Sequence, residues 1–199
     1  MPDRRQFLAA TAAAALVPLA PKEDAAPMGS VTNPTGSVNG NSLTGLQDAY
    51  AGNFGGLLCP AGGVQAQWNH VVLLSDCANA CTTGSPYVGN ELTVRLVPLG
   101  WIGLPDCAPV YPPPGDLPLT FTVPDVQLVT SDGVTRIVRA YFMKAKANGG
   151  LGNDVAATGG TVTFTRMDAT AYEGSATLTF PSGGSFSGSF VAPWCGQAP

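Results

Sequence analysis

The sequence predicts an all-β fold: an antiparallel β-sandwich or flattened β-barrel that ends in a meander and is stapled by disulfides. Three observations carry this. From Val64 onward, runs rich in Val, Leu, Thr and Phe either alternate apolar with polar residues or are apolar throughout, and Gly, Pro, Asn and Ser punctuate them. Asp132-Gly133 lies between two β-branched runs, a strong hairpin signal because Gly accepts positive φ at no steric cost. Charged residues make up only 11% of the chain, against about 25% in an average domain. Polarity must then come from Ser, Thr, Asn and Gly, as in extracellular β proteins.

The chain opens with Arg4-Arg5-Gln6-Phe7-Leu8, followed by a mild, alanine-rich apolar run to Ala20 and then Lys22. That run is shorter than the roughly 20 residues a spanning helix needs, so it predicts no stable membrane span in the mature protein. A charged start, an apolar middle and small residues after it describe a removable leader rather than a fold element. Arg4, Arg5, Phe7 and Leu8 resemble the twin-arginine export signal, with Asp3 where Ser or Thr is usual. The resemblance implies passage through the twin-arginine translocase in a folded state, and a periplasmic or extracellular destination. Residues 1–26 are assigned to this leader.

Residues 27–42, rich in Pro, Gly, Asn and Ser, read as a flexible linker, and 43–199 as a single β domain, expected to be monomeric. At 43–52, Leu43, Leu46 and Tyr50 suggest one or two helical turns. Residues 64–75 read as a strand that becomes fully apolar, and 92–97 as an alternating strand. Gly100 to Asp116 form a long Pro- and Gly-rich excursion of the kind that is functional or tied down. The hairpin around Asp132-Gly133 has a first arm interrupted by Pro124, which suggests an edge or a bulge, and a second arm over 134–146. Three further strands follow. Val162 and Phe164 share one face, as do Ala176, Leu178 and Phe180, and then Phe186, Gly188 and Phe190. Gly174 and Gly188 inside strands mark a bend, a bulge or close packing.

The last forty residues resemble a recurring ending of uncharacterised secreted proteins of Gram-negative bacteria. The shared features are Gly160 to Thr163, Leu178 with Phe180, Gly183-Gly184, Ser187 to Phe190, and Ala192 to Cys195. Leu74-Ser75-Asp76, with Cys81 a few residues on, is similar to a further segment of that group. The resemblance implies a shared β fold and carries no activity.

Net charge is −4 and the pI is near 4.7. The leader holds as many acidic as basic residues, so the negative balance stays with the domain. Nucleic acid is excluded as a partner, because phosphate binding needs a basic footprint. Five cysteines remain: Cys59, Cys77, Cys81, Cys107 and Cys195. In an exported chain they read as disulfide candidates with one left over. The preferred pairing joins the 77/81 loop to Cys195 and Cys59 to Cys107; a local 77–81 bridge is the alternative. A chain folded before export must hold its core without these bridges.

Chemistry-bearing constellations are sparse. His70 is the only histidine, so a triad, a Cys-His pair or a blue-copper site would all have to use it. There is no Gly-x-Ser-x-Gly elbow and no Cys-x-x-Cys-His. A strand residue with a satisfied ring is the expected role of His70. Arg136, Arg139, Lys144 and Lys146 hold four of the six basic residues after the leader and read as solvated ends of one arm. Asp106, Asp116, Asp125, Asp132, Asp154 and Asp168 lie near turns, where a carboxylate bonds its own backbone. Trp101 and Tyr111, on the proline-stiffened loop, either face a ligand or pin the loop to the sheet. The expectation is a non-catalytic binding or surface-contact domain with no cofactor and no metal. The rival is a carrier or enzyme loaded with a cofactor before export.

Overall fold

The computed structural model describes residues 28–54, 69–79, 89–99, 111–144, 152 and 154–197. The leader residues Arg4, Arg5, Phe7 and Leu8 lie outside them, as do Cys59, Cys81, Cys107, Trp101, Asp106 and Lys146.

In chain order the strands are β1 (Ser30–Val38), β2 (Asn41–Ser42), β3 (Asp48–Phe54), β4 (Asn69–Ser75), β5 (Asn90–Leu99), β6 (Leu119–Thr122), β7 (Leu128–Val129), β8 (Thr135–Lys144), β9 (Val155–Ala156), β10 (Gly159–Met167), β11 (Ala171–Thr179) and β12 (Ser185–Gln197). They form one sheet ordered β6-β10-β11-β12-β3-β4-β5-β8-β7, with β1 on β12, β2 on β1 and β9 on β8. The all-β class predicted from sequence is present. Sequence left sandwich and barrel open; the sheet is continuous and curls into a half-barrel.

Its inner face is one apolar core, drawn from nearly every strand: Ala51, Val72, Leu74, Leu92, Val94, Leu96, Val138, Phe142, Val162, Phe164, Leu178, Phe186 and Phe190 are all buried. Phe164 stacks edge-on to both Phe121 and Phe190, at centroid distances of 6.2 and 6.0 Å, the geometry aromatic quadrupoles favour.

Three expectations need correction. Residues 30–42 are not a linker but β1 and β2. Asn39 and Gly40, with φ of 50° and 77°, form the two-residue turn between Val38 and Asn41, as Asn-Gly does in hairpins. β1 then pairs with β12, from Ser30↔Val191 to Ser37↔Ser185, with a break in register between Thr32 and Thr35. Residues 43–52 are not helical. Leu43 and Leu46 are buried ahead of β3, whose Ala49 and Ala51 face the core while Tyr50 faces the other way. Pairing along the whole of β4 outweighs a weak local preference. The first arm of the Asp132-Gly133 hairpin is split. β6 leaves to pair with β10, and only Leu128 and Val129 pair with β8. Pro124 sits in the turn between the two pieces.

Not every pairing is antiparallel. β12 outruns β1, and its free edge is taken over by β3 in parallel, with Trp194 opposite Ala51. The strand glycine at 174 marks close packing: a Cβ there would stand 2.1 Å from the Thr163 carbonyl oxygen, next to the register break between Phe164 and Arg166.

Candidate functional site

Two places gather the residues that sequence singled out. The first packs against the apolar core. His70 on β4 follows Val72 and Leu74 on the inward face, and its Nδ1 shares a short hydrogen bond with the Tyr172 hydroxyl of β11. Tyr111 lies over both rings, at centroid distances of 5.2 Å from His70 and 6.3 Å from Tyr172. Trp194 of β12 completes the group, 6.4 Å from Tyr111 and 5.7 Å from Tyr172. His70 and Tyr172 are buried; Tyr111 and Trp194 are half-buried. Burial, with the neighbouring Tyr111 and Asp168 adding to it, raises the Tyr172 phenol far above its ordinary range. Burial and Asp168 raise Tyr111 as well, against a lowering hydrogen bond from Tyr172. Both phenols stay protonated near neutral pH and act as hydrogen-bonding rings. Tyr111 packs where the Pro-rich excursion rejoins the sheet.

Among the described residues, Arg136, Arg139 and Lys144 each bond a polar neighbour. Arg136 is 1% exposed, so the reading of it as a solvated arm end is corrected. Its two terminal nitrogens meet Asp132 Oδ1 and Oδ2 at 3.0 and 2.8 Å, and one also donates to Thr130 Oγ1. This fork clamps the Asp-Gly turn from inside. Burial alone would raise the Asp132 carboxyl; hydrogen bonds from Thr130, Arg136 and the Val134 N–H hold it below its usual value. Arg139 Nε donates to Asp125 Oδ1 at 2.5 Å, and Lys144 Nζ to Asn41 Oδ1 at 2.8 Å.

Asp132 and Asp168 bond the backbone of their own turns, Asp132 accepting from the Val134 N–H and Asp168 from the Thr170 and Ala171 N–H groups. Asp116 instead accepts from the Ser131 N–H of a distant turn, and Asp125 pairs with Arg139. The Thr170 hydroxyl and Arg166 help drive the Asp168 carboxyl well below the carboxylate range. No group of three or more His, Cys, Asp or Glu is arranged for a metal among the described residues. Of the cysteines, Cys77 and Cys195 are described, and no disulfide joins them to one another. Burial and the neighbouring Asp76 raise the Cys77 thiol above its ordinary pKa.

The second place was not assembled from sequence. On the outer face of β6, β10, β11, β12 and β1, register brings hydroxyl side chains into two ranks. Thr122, Thr161, Thr177, Ser187 and Thr35 form one; Thr120, Thr163, Ser175, Ser189 and Thr32 form the other. Nine of the ten are exposed, Thr163 being half-buried. Neighbours bond sideways: Thr120 to Thr163 hydroxyl at 2.9 Å, Thr177 to Ser187 at 3.4 Å. The ranks contain no charged and no aromatic side chain. Arg166 and Glu173, paired at 3.0 Å, stand beyond their end.

No family model, curated protein or solved structure matches this chain. The Ser and Thr alternation of 161–165, 175–179 and 185–189 is legible in the sequence. That these stretches, together with Thr120-Phe121-Thr122 and β1, lie side by side in phase is a matter of register between segments far apart in the chain.

Proposed function

We propose that the chain is an exported, non-catalytic β domain that works by surface contact, and that the Ser/Thr face is its contact surface. One observation carries this: ten hydroxyl side chains stand in two uninterrupted ranks across five strands. Each hydroxyl both donates and accepts, and threonine, stiff at χ1, loses little entropy when a contact forms. The inner face supports the same reading, since Phe121, Phe164, Phe186 and Phe190 fill it with packed side chains. The residues of the leader support export by the twin-arginine route as an already folded body. Oxidation among the five cysteines follows in the oxidising compartment, and the mature domain acts as a monomer.

Cells producing the full chain test this. The wild type is expected outside the cytoplasm in a shortened form, retained on cell-exterior material. Thr177→Lys is expected to stay folded and appear in the free fraction. Unchanged retention of Thr177→Lys removes the contact-face reading. Normal secretion of an Arg4→Lys, Arg5→Lys double variant removes the export reading. Intact mass of the exported form, without reductant, reads the cleavage point and the number of disulfides together.

A further inference from the structure

We propose that the Ser/Thr face binds crystalline ice. The proposal rests on the contact-face reading above and names the occupant. Four properties of the face select it. The ranks are neutral, which leaves a charged polymer or a mineral surface nothing to pair with. They carry no aromatic ring, so they lack the amphipathic platform on which aromatic contact surfaces rely. They are polar throughout, whereas a stable interface between two copies of the chain is apolar at its centre. And they repeat in two dimensions.

The repeat is fixed by β geometry. Adjacent strands lie about 4.8 Å apart, and equivalent side chains on one strand recur every two residues, about 6.8 Å. Across the antiparallel ladder opposite positions alternate between about 4.5 and 5.5 Å, so the mesh averages near the oxygen spacing on the prism face of hexagonal ice in that direction, as the two-residue repeat does along the strands. A surface of this kind asks of its partner a plane of groups that each donate and accept hydrogen bonds at those intervals. An ice face offers that and nothing else. Seven of the ten side chains are threonine, whose methyl groups add apolar contact between the hydroxyls.

The mesh is also held in place from beneath. Val162, Phe164, Ala176, Leu178, Phe186 and Phe190 alternate with the hydroxyl positions and are buried in the core. Backbone approach at Gly174 leaves no room for a side chain between β10 and β11. The Thr120–Thr163 hydroxyl bond at 2.9 Å holds two of these side chains before any partner arrives. Sheets twist by about 20° from strand to strand, so β6 and β1 turn away from a flat partner. The six hydroxyls of β10, β11 and β12, Thr161, Thr163, Ser175, Thr177, Ser187 and Ser189, therefore carry the contact.

The test uses the full exported protein and ice itself as the probe. A slowly growing ice hemisphere in dilute protein reads incorporation against exclusion, and annealing of fine-grained ice reads inhibition of recrystallisation. The wild type is expected to enter the ice and to slow coarsening. Thr177→Lys and Thr161→Lys, checked for an unchanged circular dichroism spectrum and melting curve, are expected to lose both effects. Thr44→Lys, at an exposed position off the face, is expected to keep them. Exclusion of the wild type from ice, or full activity of both rank variants, overturns the proposal. If the wild type is excluded while Thr177→Lys still abolishes retention on cells, ice is the wrong occupant and the contact face stands. If Thr177→Lys changes neither, both readings fall. Rank-dependent binding to microcrystalline cellulose or chitin without binding to ice likewise overturns the choice of occupant.

Discussion

The two halves of the sheet treat their outer faces in opposite ways. In β6, β10, β11, β12 and β1, most inner residues are buried and most outer ones are Ser and Thr in water. Among the described residues of β3, β4 and β5, both faces carry buried side chains, while on the outer side of β8 Arg139 is exposed. Tyr50, Val71 and Leu73 are covered on the outer side as Ala51, Val72 and Leu74 are on the inner. Ile137 and Met143 of β8 are buried opposite Val138 and Phe142. Thr93 Oγ1 donates to Glu91 Oε1 at 3.2 Å inside the second half, and Arg136 pairs with Asp132. The difference teaches that one curled sheet can divide its labour. One half buries side chains on both of its faces, which leaves the other to present an outer face of Ser and Thr to water.

The largest expected effect tests what the halves share. Phe164→Ala opens a cavity in the common core under the hydroxyl ranks. It should cost about 3–5 kcal/mol in denaturant unfolding, in a single transition. Two separate transitions would show that the halves unfold independently and would break the idea of one core.

A sharper contrast comes from one substitution made twice. Val71, fully covered, and Val191, 42% exposed, both lie outward of the inner core, one in each half. Val71→Thr places a hydroxyl in a buried site and should cost about 1–3 kcal/mol. Val191→Thr should stay within about 0.5 kcal/mol of the wild type and extends the hydroxyl face. Equal costs at the two positions would erase the distinction drawn between the halves.

The smallest effect is electrostatic. Asp132 and Asp168 both titrate below the ordinary value of 3.8 in the folded chain. A depressed carboxylate stabilises fully above its unfolded pKa, and that contribution fades as pH falls through the folded one. Thermal stability should therefore be level above about pH 5 and decline below pH 4. Asp168, half-exposed beside Arg166, contributes only about 0.2–1 kcal/mol of this. Asp168→Asn should flatten the acid limb slightly and leave stability at pH 7 lower by that amount. A slope unchanged by the substitution would remove Asp168 from the account.

Much of this was legible residue by residue. The run Val71 to Leu74 has no polar alternation, and it became a strand covered on both sides. The alternation of 161–165 and 175–179 became strands with one wet face. Asp132-Gly133 made its turn, with Gly133 at φ 77°. Asn39-Gly40 carries the same kind of signal, but its polar flanks read as linker because the strand they join, β12, lies some 150 residues further on. Arg136 looked like a surface charge because only the folded turn brings Asp132 and Thr130 around its guanidinium. Tyr111 and His70 were visible as candidates; Tyr172 and Trp194, which complete their cluster, were not, since nothing local ties four aromatic residues from distant segments together.

The sequence by itself determined the class of the fold and the inward or outward sense of most strand residues. Period-two alternation and turn chemistry act over a few neighbours, and need no partner to be read. Tertiary structure alone decided the strand order, the parallel run of β12 along β3, and the alignment of hydroxyls from five strands into ranks. Those depend on which edges meet and in what register, and that is set by the packing of one shared core rather than by any local preference.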